Sequence, residues 1–559
     1  MNARKMTDPV QSEPEVAARL LADWLIKSMR TDAPEAAASE MSPALRDLIE
    51  QAYLAVLEGK SCLVAKDPVA NDDRFIGTPS EPLKPLCLRA YSAPGEDGHP
   101  PRKRHLLYLR QMENFERQLS EVILARCPDR STPWPAPAPD VLEGLSPSQI
   151  QALTLLSRKS FAIITGGPGS GKTHLLAKIL GYVLASALVD PAGIRLMAPT
   201  GRAARIIGEK MKQLSVTPPR QPETIHAFLQ NYDEAEKLTM VVVDESSMVD
   251  LMLFNRLLSK LPVDCTLVLV GDPQQLPSVE VGTVLADISG AALLRKNRAH
   301  LSGDFRSSEE IGDLADAVMS HEEGGSLAPL KLAWSPYRKD LDAPAAVELA
   351  KLAYEPMVEA ARAARAGEQE GIAAALARIN NVRVLCSQRH GESGALTLSD
   401  AIATALGIDL ARPTNGALIM VTRNDNHNSQ LRNGDVGLMI GGKVYFPGYF
   451  KEAPAVAPAT KDKDRPVQEY RGFGYNELPD PVMAFATTVH KAQGSEYDHC
   501  IAVISQPKEH AAFVSRQILY TAITRAKRKL DIFADSKVLE EAVDRLVEQA
   551  SGLRERLSE

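Results

Sequence analysis

The sequence predicts an α/β fold made of several domains, and three observations lead to this prediction. The chain has 559 residues, too many for a single hydrophobic core. From Leu145 onward, short and nearly all-apolar segments alternate with helical ones, as expected for strands buried on both faces of a parallel sheet. A second set of such segments begins near residue 383. We therefore expect two parallel-sheet α/β domains behind a different N-terminal region.

Residues 1–130 are predicted to form a mostly helical N-terminal domain. Residues 43–59 read as an amphipathic helix ending at Gly59, and residues 105–126 read as another. In the latter, one helical face carries apolar side chains at Met112, Phe115, Leu119, Val122 and Ile123. A short helix is expected from Leu20 to Ile26. Because this region lies outside the α/β domains and carries an apolar-faced helix, we expect it to dock onto a partner protein.

Residues 131–144 are interpreted as a proline-rich linker. The alternating prolines of STPWPAPAPD favour a stiff, extended chain, which places a domain boundary here. A surface loop within one domain is the alternative that the sequence leaves open.

The first α/β domain is expected to span residues 145–300, and the second residues 301–559. Candidate strands of the first domain are FAIIT (161–165), IRLMAP (194–199), MVVVD (240–244) and TLVLVG (266–271).

The second domain is predicted to contain a small β insert. The strands of the second domain itself start with RVLC (383–386) and ALIMV (417–421), after an Ala/Glu/Arg-rich helical stretch. At about 433–480 the composition changes to Gly, Pro and aromatic residues, with polar–apolar alternation in KVYF. We place the insert over those residues.

Composition excludes some classes of protein. The net charge is −7 and the apolar content 44%, which argues against a protein coated in basic surface but not against a local basic groove. The six cysteines are scattered without a C-x-x-C pair, so a zinc or iron–sulfur site is not expected. No apolar run resembles a signal peptide or a membrane span. We expect a reduced, cytoplasmic setting and no membrane partner.

A glycine-rich segment predicts a nucleoside triphosphate site. It fits the pattern G-x-x-x-x-G-K-[ST] and lies between a buried-type strand and a helix, with residues Gly166, Gly167, Pro168, Gly169, Ser170, Gly171, Lys172 and Thr173. Backbone N–H groups of such a loop close around phosphate oxygens, and the helix directs its positive end at them. Lys172 is expected to reach the β- and γ-phosphates, and the Thr173 hydroxyl to ligate Mg²⁺.

Polar residues at the ends of two further strands complete the predicted hydrolytic site. Asp244 is placed to hold the Mg²⁺ shell, and Glu245 to orient and deprotonate the attacking water. Gln275, in GDPQQLP, could sense the γ-phosphate, because α/β sheets bind ligands at the carboxyl ends of their strands. Asp244 could instead cap a helix, but that role would not account for the phosphate loop upstream.

Two strings in the last quarter of the chain indicate what the triphosphate is used for. TTVHKAQGSE (487–496) combines hydroxyl, imidazole and amide groups suited to a nucleic-acid backbone. LYTAITRAK (519–527) offers Arg525 on a helix, placed to reach a γ-phosphate held by another domain. Together they predict a motor that moves on nucleic acid.

The order of these strings resembles the superfamily-one helicases, in the branch that moves 5′→3′ on single-stranded DNA. The supporting strings are LSPSQIQA (145–152), APTGRAA (198–204), TIH (224–226), VVVDESS, GDPQQLP, Phe305-Arg306 and the two late strings. A closer resemblance is to the RecD family, the alpha subunits of exonuclease V. It rests on VRVLCSQRHGESG (382–394), TRNDNHNSQLRNGDVG (422–437), LEGKSCL (57–63) and LLYLRQMENFE (106–116).

The resemblance implies two RecA-like P-loop domains, an SH3-like β insert, and ATP bound with Mg²⁺ between the motor domains. Gln149 would read the adenine, Gly494 and Glu496 would add nucleotide contacts, and Arg306 and Arg525 would complete the site on closure. The strand contacts it implies are Thr200, Arg202, Thr224, His226, Asn424, Thr488 and His490. For each of these, helix capping or a place at the edge of the core is the alternative.

The resemblance also implies partners. RecB-like and RecC-like subunits would complete a heterotrimer that acts on single-stranded DNA at a duplex end, in double-strand break repair and recombination. No acidic cluster followed by E-x-K is found, so nuclease activity would come from a partner. The short stretch between His226 and Asp244 leaves little room for a strand-separating hairpin. The alternatives to such a motor subunit are a stand-alone helicase, a phosphate-loop kinase and a structural subunit with a decayed motor.

Overall fold

The structure is a computed structural model, and it describes most of the chain. The described residues are 17, 18, 20, 43–65, 76–78, 80, 86–93, 102–214, 216–303, 309–365, 368–425, 431–447, 470–506, 514–547 and 550–558. No helix among these residues is long and apolar enough to span a bilayer. The expected helix at 20–26 lies largely outside them, as does Arg306.

The N-terminal region combines helices with a sheet that the sequence did not lead us to predict. The described strands have the order β1-β4-β3-β2. Its elements are α1 (Pro43–Leu57), β1 (Leu63–Ala65), β2 (Ile76–Gly77), β3 (Leu86–Ala93), β4 (Arg102–Leu109) and α2 (Arg110–Ala125). The second predicted helix therefore starts five residues late, because 105–109 pair with β3 as a strand. "Mostly helical" was an incomplete prediction for this region.

The first motor sheet is parallel throughout, and its described strands have the order β10-β5-β9-β8-β6-β7. The strands are β5 (Phe161–Gly166), β6 (Ile194–Ala198), β7 (Glu223–Thr224), β8 (Met240–Val243), β9 (Thr266–Gly271) and β10 (Arg298–Leu301). The helices are α3 (Pro139–Leu142), α4 (Pro147–Arg158), α5 (Lys172–Ala185), α6 (Gly201–Gln213), α7 (Ile225–Asn231), α8 (Leu251–Leu258) and α9 (Val284–Gly290). The four predicted strands are confirmed.

The second motor sheet is also parallel, with the described order β11-β20-β19-β12-β18. Its strands are β11 (Arg338–Lys339), β12 (Val382–Cys386), β18 (Ala486–Thr488), β19 (Tyr497–Ile504) and β20 (Ala526–Ala534). The helices of this part are α10 (Glu309–Met319), α11 (Ala328–Trp334), α12 (Ala343–Ala363), α13 (Gln369–Leu376), α14 (Ala395–Ala405), α15 (Arg516–Ile523) and α16 (Ser536–Asp544). A further helix, α17 (Leu553–Arg556), follows them in the sequence but packs in the core of the first motor domain.

A separate antiparallel sheet forms the β insert, with the described order β16-β15-β14-β13-β17. Its strands are β13 (Leu418–Val421), β14 (Val436–Ile440), β15 (Lys443–Pro447), β16 (Tyr470–Gly474) and β17 (Pro481–Met483). The segment 417–421 was interpreted as a strand of the second motor sheet, and that was wrong. It pairs antiparallel with β14 and β17, so the insert's sheet begins ahead of residue 433.

The N-terminal region packs tightly on the first motor domain. Leu119 and Ile123 of α2 are buried in the same core as α8 and β9. Buried Arg126 donates to the carbonyl groups of Leu261 and Pro262, at 2.6 and 2.8 Å. The apolar face of α2 is therefore used within the chain, and it does not supply a docking surface for a partner.

The proline-rich segment lies against the first motor domain. The guanidinium of Arg130 stacks over the Trp134 ring at 3.7 Å, and Trp134 meets Tyr182 of α5 edge-on. The Tyr182 hydroxyl donates to the Pro135 carbonyl. These contacts hold the segment in place along its course.

Candidate nucleotide site and nucleic-acid face

The phosphate loop joins β5 directly to the N-terminus of α5. Gly169 and Gly171 adopt left-handed backbone conformations, with φ of 81° and 80°, which favour glycine. A Cβ on Gly166 would lie 2.6 Å from Ser170 Oγ, so the loop also closes too tightly for a side chain there. The result is a compact turn at the positive end of a helix, a ready site for phosphate.

Two predicted residues contact the loop itself in this structure. The Lys172 ammonium donates to the carbonyls of Gly166 and Gly167, both at 2.7 Å. Gln149 accepts a bond from the Ser146 N–H within a capping box at the start of α4. Its amide lies 3.4 Å from the Ser170 carbonyl, so Gln149 is placed beside the loop.

Asp244 and Glu245 follow the central strand β8 and face the loop. Burial, followed by the neighbouring Glu245 carboxylate, raises the pKa of Asp244 to about 6. Glu245 has a φ of 51°, a left-handed conformation that a non-glycine residue adopts at a cost of about 1–2 kcal/mol. Strain of this kind is concentrated at functional sites, and here it turns the Glu245 side chain toward the cleft.

The segment after β9 is bonded to the second motor domain by buried groups. Gln275 donates to Asp272 at 2.9 Å and accepts from Arg525 of the second domain at 3.0 Å. The Tyr520 hydroxyl donates to the same Asp272 oxygen at 3.0 Å. Burial, followed by the Asp272 carboxylate, raises the pKa of Tyr520. Gln275 is thus joined to Arg525 by a buried hydrogen bond across the domain junction.

Backbone groups of Leu276 extend this junction. Its N–H donates to the Thr521 hydroxyl at 3.1 Å, and its carbonyl accepts from the Gln493 amide at 2.8 Å. Sequence reasoning did not single out Asp272, Gln493, Tyr520 or Thr521 as separate residues. They lie inside three of the quoted motifs, GDPQQLP, TTVHKAQGSE and LYTAITRAK, but their pairing is a tertiary contact that no local pattern shows.

Most of the predicted nucleotide residues, from both motor domains, line one cleft. The lining includes Gly169, Gly171, Lys172, Thr173, Asp244, Glu245, Gln275, Gly494, Glu496 and Arg525. Arg525 is buried, and its other described bond is to the Ser495 carbonyl at 3.2 Å. An adjoining cavity of about 370 Å³ opens between the loop, Ser302 and Tyr520, with room for more of a nucleotide.

The predicted DNA contacts of the first domain lie at the N-terminal ends of α6 and α7, beside the paired strands β6 and β7. Thr200 and Thr224 cap α6 and α7, accepting from backbone N–H groups at 3.2 and 3.1 Å. Arg202 is half-buried and reaches the Gly434 carbonyl at 3.4 Å, whereas His226 is exposed. The capping alternative is thus realised for both threonines, and a capping side chain can still face a ligand.

The predicted DNA contacts of the second domain are partly engaged with their own loops. The Asn424 side chain is exposed and accepts from the Asn433 N–H at 2.8 Å. Thr488 accepts from the Lys491 N–H at 3.3 Å. Burial lowers the pKa of the half-buried His490, which favours its uncharged form at neutral pH.

The two motor domains also touch on this side. Arg205 of α6 forms an ion pair at 2.9 Å with Asp435, which is buried at the start of β14. A Cβ on Gly201 would lie 2.7 Å from Arg432 Cγ, so the loop before β14 sits directly on the first turn of α6. A groove of about 240 Å³ runs beside these residues and past Thr224.

Two protein-family models match separate parts of the chain. Residues 149–281 match the AAA domain family and residues 483–532 the UvrD-like helicase C-terminal domain family. The chain is similar to the RecBCD enzyme subunit RecD of Mycolicibacterium smegmatis, with 31% identity over 84% of this chain and 86% of that protein. It is 29% identical to the ATP-dependent RecD2 DNA helicase of Deinococcus radiodurans, over 85% of this chain and 60% of that protein. A Bacteroides Pif1 helicase structure with ADP-AlF3 and single-stranded DNA aligns with a TM-score of 0.40 at 17% identity, covering 72% and 95% of the two chains.

Proposed function

Because this chain belongs to the RecD family and is an ATP-hydrolysing DNA helicase, we propose that it is the 5′→3′ motor subunit of a RecBCD-type helicase–nuclease. In that role it draws single-stranded DNA from a duplex end during double-strand break repair and recombination. The observation that carries the proposal is the set of buried hydrogen bonds between residues 272–276 and the second motor domain. They join the nucleotide cleft to the contact between the two domains that must move.

The cleft supplies the groups for phosphoryl transfer to water. Lys172 is proposed to leave the loop carbonyls for the β- and γ-phosphates, to which a cation is more strongly attracted. Glu245 orients the attacking water and accepts its proton. Arg525 neutralises charge on the γ-phosphate in the closed state, a role that we also propose for Arg306.

Thr173 and Asp244 fit a magnesium ion that is held jointly with the phosphates. Both offer oxygen ligands and line the cleft beside Lys172. Among the described residues there is no group of three or more His, Cys, Asp or Glu side chains able to hold a metal by themselves. That matches Mg²⁺, which keeps few protein ligands and is completed by substrate phosphates and water. The ion would polarise the γ-phosphate, and ionised Asp244 would orient it.

The single-stranded DNA is proposed to cross the N-terminal ends of α6 and α7 and the loops at Asn424 and Thr488. Hydroxyl, amide and imidazole groups there suit a sugar–phosphate backbone and stacked bases, so the grip would not depend on sequence. Alternating affinity of the two domains then converts each hydrolysis into movement along the strand.

RecB-like and RecC-like subunits are the proposed partners, because the relatives of this chain are named as subunits of that enzyme. Residues 1–130 remain the proposed docking region. Its interface would use a surface other than the apolar face of α2, which packs inside the chain. Nuclease activity would come from a partner.

The first experiment measures ATP hydrolysis by the purified chain with and without single-stranded DNA. We expect DNA to stimulate the rate, and Lys172→Ala and Glu245→Gln to abolish it. Arg256→Ala, an exposed change on α8, is the matched control. Full hydrolysis without DNA would contradict a motor role.

The second experiment compares unwinding of 5′-tailed and 3′-tailed duplexes, with and without co-expressed RecB-like and RecC-like chains. We expect unwinding of the 5′-tailed substrate in their presence. Processive unwinding by the isolated chain would favour a stand-alone helicase, and unwinding from the 3′ tail would refute the proposed polarity.

A further inference from the structure

The end of the chain crosses from the second motor domain back to the first. Up to residue 547 it is bonded to the second domain. Arg545 donates to the Val514 carbonyl at 3.1 Å, and the Val547 N–H donates to the Gln517 side chain at 3.1 Å. From residue 550 it is bonded elsewhere, because the Ser61 N–H of the N-terminal region donates to the Ala550 carbonyl at 3.1 Å.

Beyond this crossing, the last residues are part of the first domain's core. Leu553 and Leu557 are 1% and 0% exposed and pack in the cluster that contains Leu119 and Leu285. The Arg554 guanidinium packs closely against Gly290 at the end of α9. A Cβ added to Gly290 would lie only 2.9 Å from the guanidinium. We name residues 545–547 and 550–558 the C-terminal strap.

A buried carboxylate anchors the C-terminal strap. Glu116 of α2 is fully buried and accepts bonds from the Ser551 hydroxyl, the Gly552 N–H and Arg556, at 3.1, 3.2 and 3.3 Å. It also accepts from Ser61 and Tyr108, at 2.5 and 3.0 Å. Arg556 pairs in addition with Glu113 at 2.9 Å. Removing one partner of such a buried set is strongly destabilising, so the anchor is not readily released.

The motor domains are consequently joined at two places. One connection runs from the end of β10 at Leu301 to α10 at Glu309, and the other is the C-terminal strap. Val547 and Ala550 are three Cα–Cα steps apart in sequence, so their separation cannot exceed about 11 Å. The short step between Val547 and Ala550 therefore limits how far the two domains can separate at this point.

We propose that the C-terminal strap is a second hinge of the motor, and that Arg556 and Glu116 are positioning residues that keep the Arg525-bearing domain over the phosphate loop. This inference rests on the proposed motor cycle, in which the two domains move relative to each other. The C-terminal strap would limit opening between turnovers, so that Gln275 and Arg525 meet again quickly when ATP binds.

The test lengthens the crossing and leaves every anchor in place. Nine residues, (Gly-Gly-Ser)₃, are inserted between Val547 and Ala550 of the full chain. The matched control carries the same insertion after Arg412, in the exposed loop between α14 and β13. Thermal unfolding checks that both variants fold like the parent chain.

Two readouts follow. The first is ATPase stimulation by single-stranded DNA, which we expect to fall about three- to thirtyfold in the lengthened variant while the DNA-free rate stays unchanged. The second is the distance between dyes on Val263→Cys and Leu352→Cys, positions that are 59% and 62% exposed in the first and second domains. The native cysteines are buried or half-buried. We expect a broader distance distribution in the lengthened variant.

The outcomes separate the two proposals. If both readouts match the control insertion, the C-terminal strap is not a hinge. If DNA fails to stimulate even the unmodified chain, the proposed motor cycle is wrong, and the dye distances still decide whether the C-terminal strap restricts the domains.

Discussion

The nucleotide side and the nucleic-acid side of the domain junction are built differently. On the nucleotide side, buried side chains of both domains bond directly, through Gln275–Arg525 and Asp272–Tyr520. On the other side, most of the predicted contact residues are exposed or half-buried, and several cap or brace their own loops.

The difference shows where the chain is already organised for its ligand. Buried groups with fixed partners need little rearrangement before they act, so changes there should affect the rate of hydrolysis. The exposed groups are the proposed contacts to a flexible strand, so changes there should affect DNA affinity and leave the unbound protein's stability nearly unaltered. Four substitutions test this contrast, in order of expected effect.

Arg525→Ala should have the largest effect. Loss of an arginine that neutralises the transferred phosphoryl group should lower kcat for ATP by about 10³-fold or more. Steady-state ATPase assays with saturating single-stranded DNA measure it. Arg528→Ala, an exposed change three residues further on, is the matched control. An equal loss in both variants would show that general positive charge, not the contact with Gln275, matters here.

Tyr520→Phe removes one hydroxyl from the buried junction. The lost hydrogen bond to Asp272 should cost about 1–3 kcal/mol and slow DNA-stimulated hydrolysis about tenfold. Tyr182→Phe is the control, since it removes a tyrosine hydroxyl that donates to Pro135 of the proline-rich segment and makes no bond to the described part of the second motor domain. If Tyr520→Phe alters stability and leaves the DNA-stimulated rate unchanged, the contact holds the domains together without coupling them.

His226→Ala tests the exposed side. We expect affinity for single-stranded DNA to fall about five- to tenfold, at the lower end of the effect of one lost stacking contact, with an unchanged melting temperature. Fluorescence anisotropy with a labelled oligonucleotide measures the affinity. Arg256→Ala removes a full positive charge from the same domain, and a similar loss there would indicate an unspecific charge effect.

Thr224 separates capping from contact, with the smallest expected effect. Thr224→Ala should lower the free energy of unfolding by about 1 kcal/mol, because the Ala227 N–H loses its acceptor, and Thr224→Ser should preserve it. We expect the alanine variant also to bind DNA more weakly. Unchanged DNA binding by the alanine variant, measured with its unfolding midpoint, would leave Thr224 as a helix cap.

The sequence predicted best what is local. The phosphate loop, the acidic pair after β8 and the four buried strands each follow from a few adjacent residues, and the structure assembles their side chains around one cleft. The four-stranded N-terminal sheet was missed, because β4 runs without a turn signal into α2. Its apolar residues therefore looked like the first turn of that helix.

Pairings between distant segments could not be predicted from the chain. Leu418–Val421 is as apolar as a parallel strand, but its partners lie in the insert, and burial on both faces looks alike in the two kinds of sheet. Likewise, nothing near Tyr520 or Glu116 in the sequence shows that each bonds to a residue hundreds of positions away. The sequence shows which side chains are present at these positions, but it does not show which distant residues they contact.

The anchor of the C-terminal strap has a consequence for synthesis. Glu116 and Arg556 are separated by 440 positions, so this pair cannot form until all of the chain between them has left the ribosome. Until then, the seam that receives Leu553 and Leu557 keeps its apolar lining and two carboxylates open to solvent. Such late closure is slow and exposes the nascent chain to aggregation. Residues 550–558 thus complete the first motor domain, and a chain truncated before residue 550 should accumulate as an incompletely folded product.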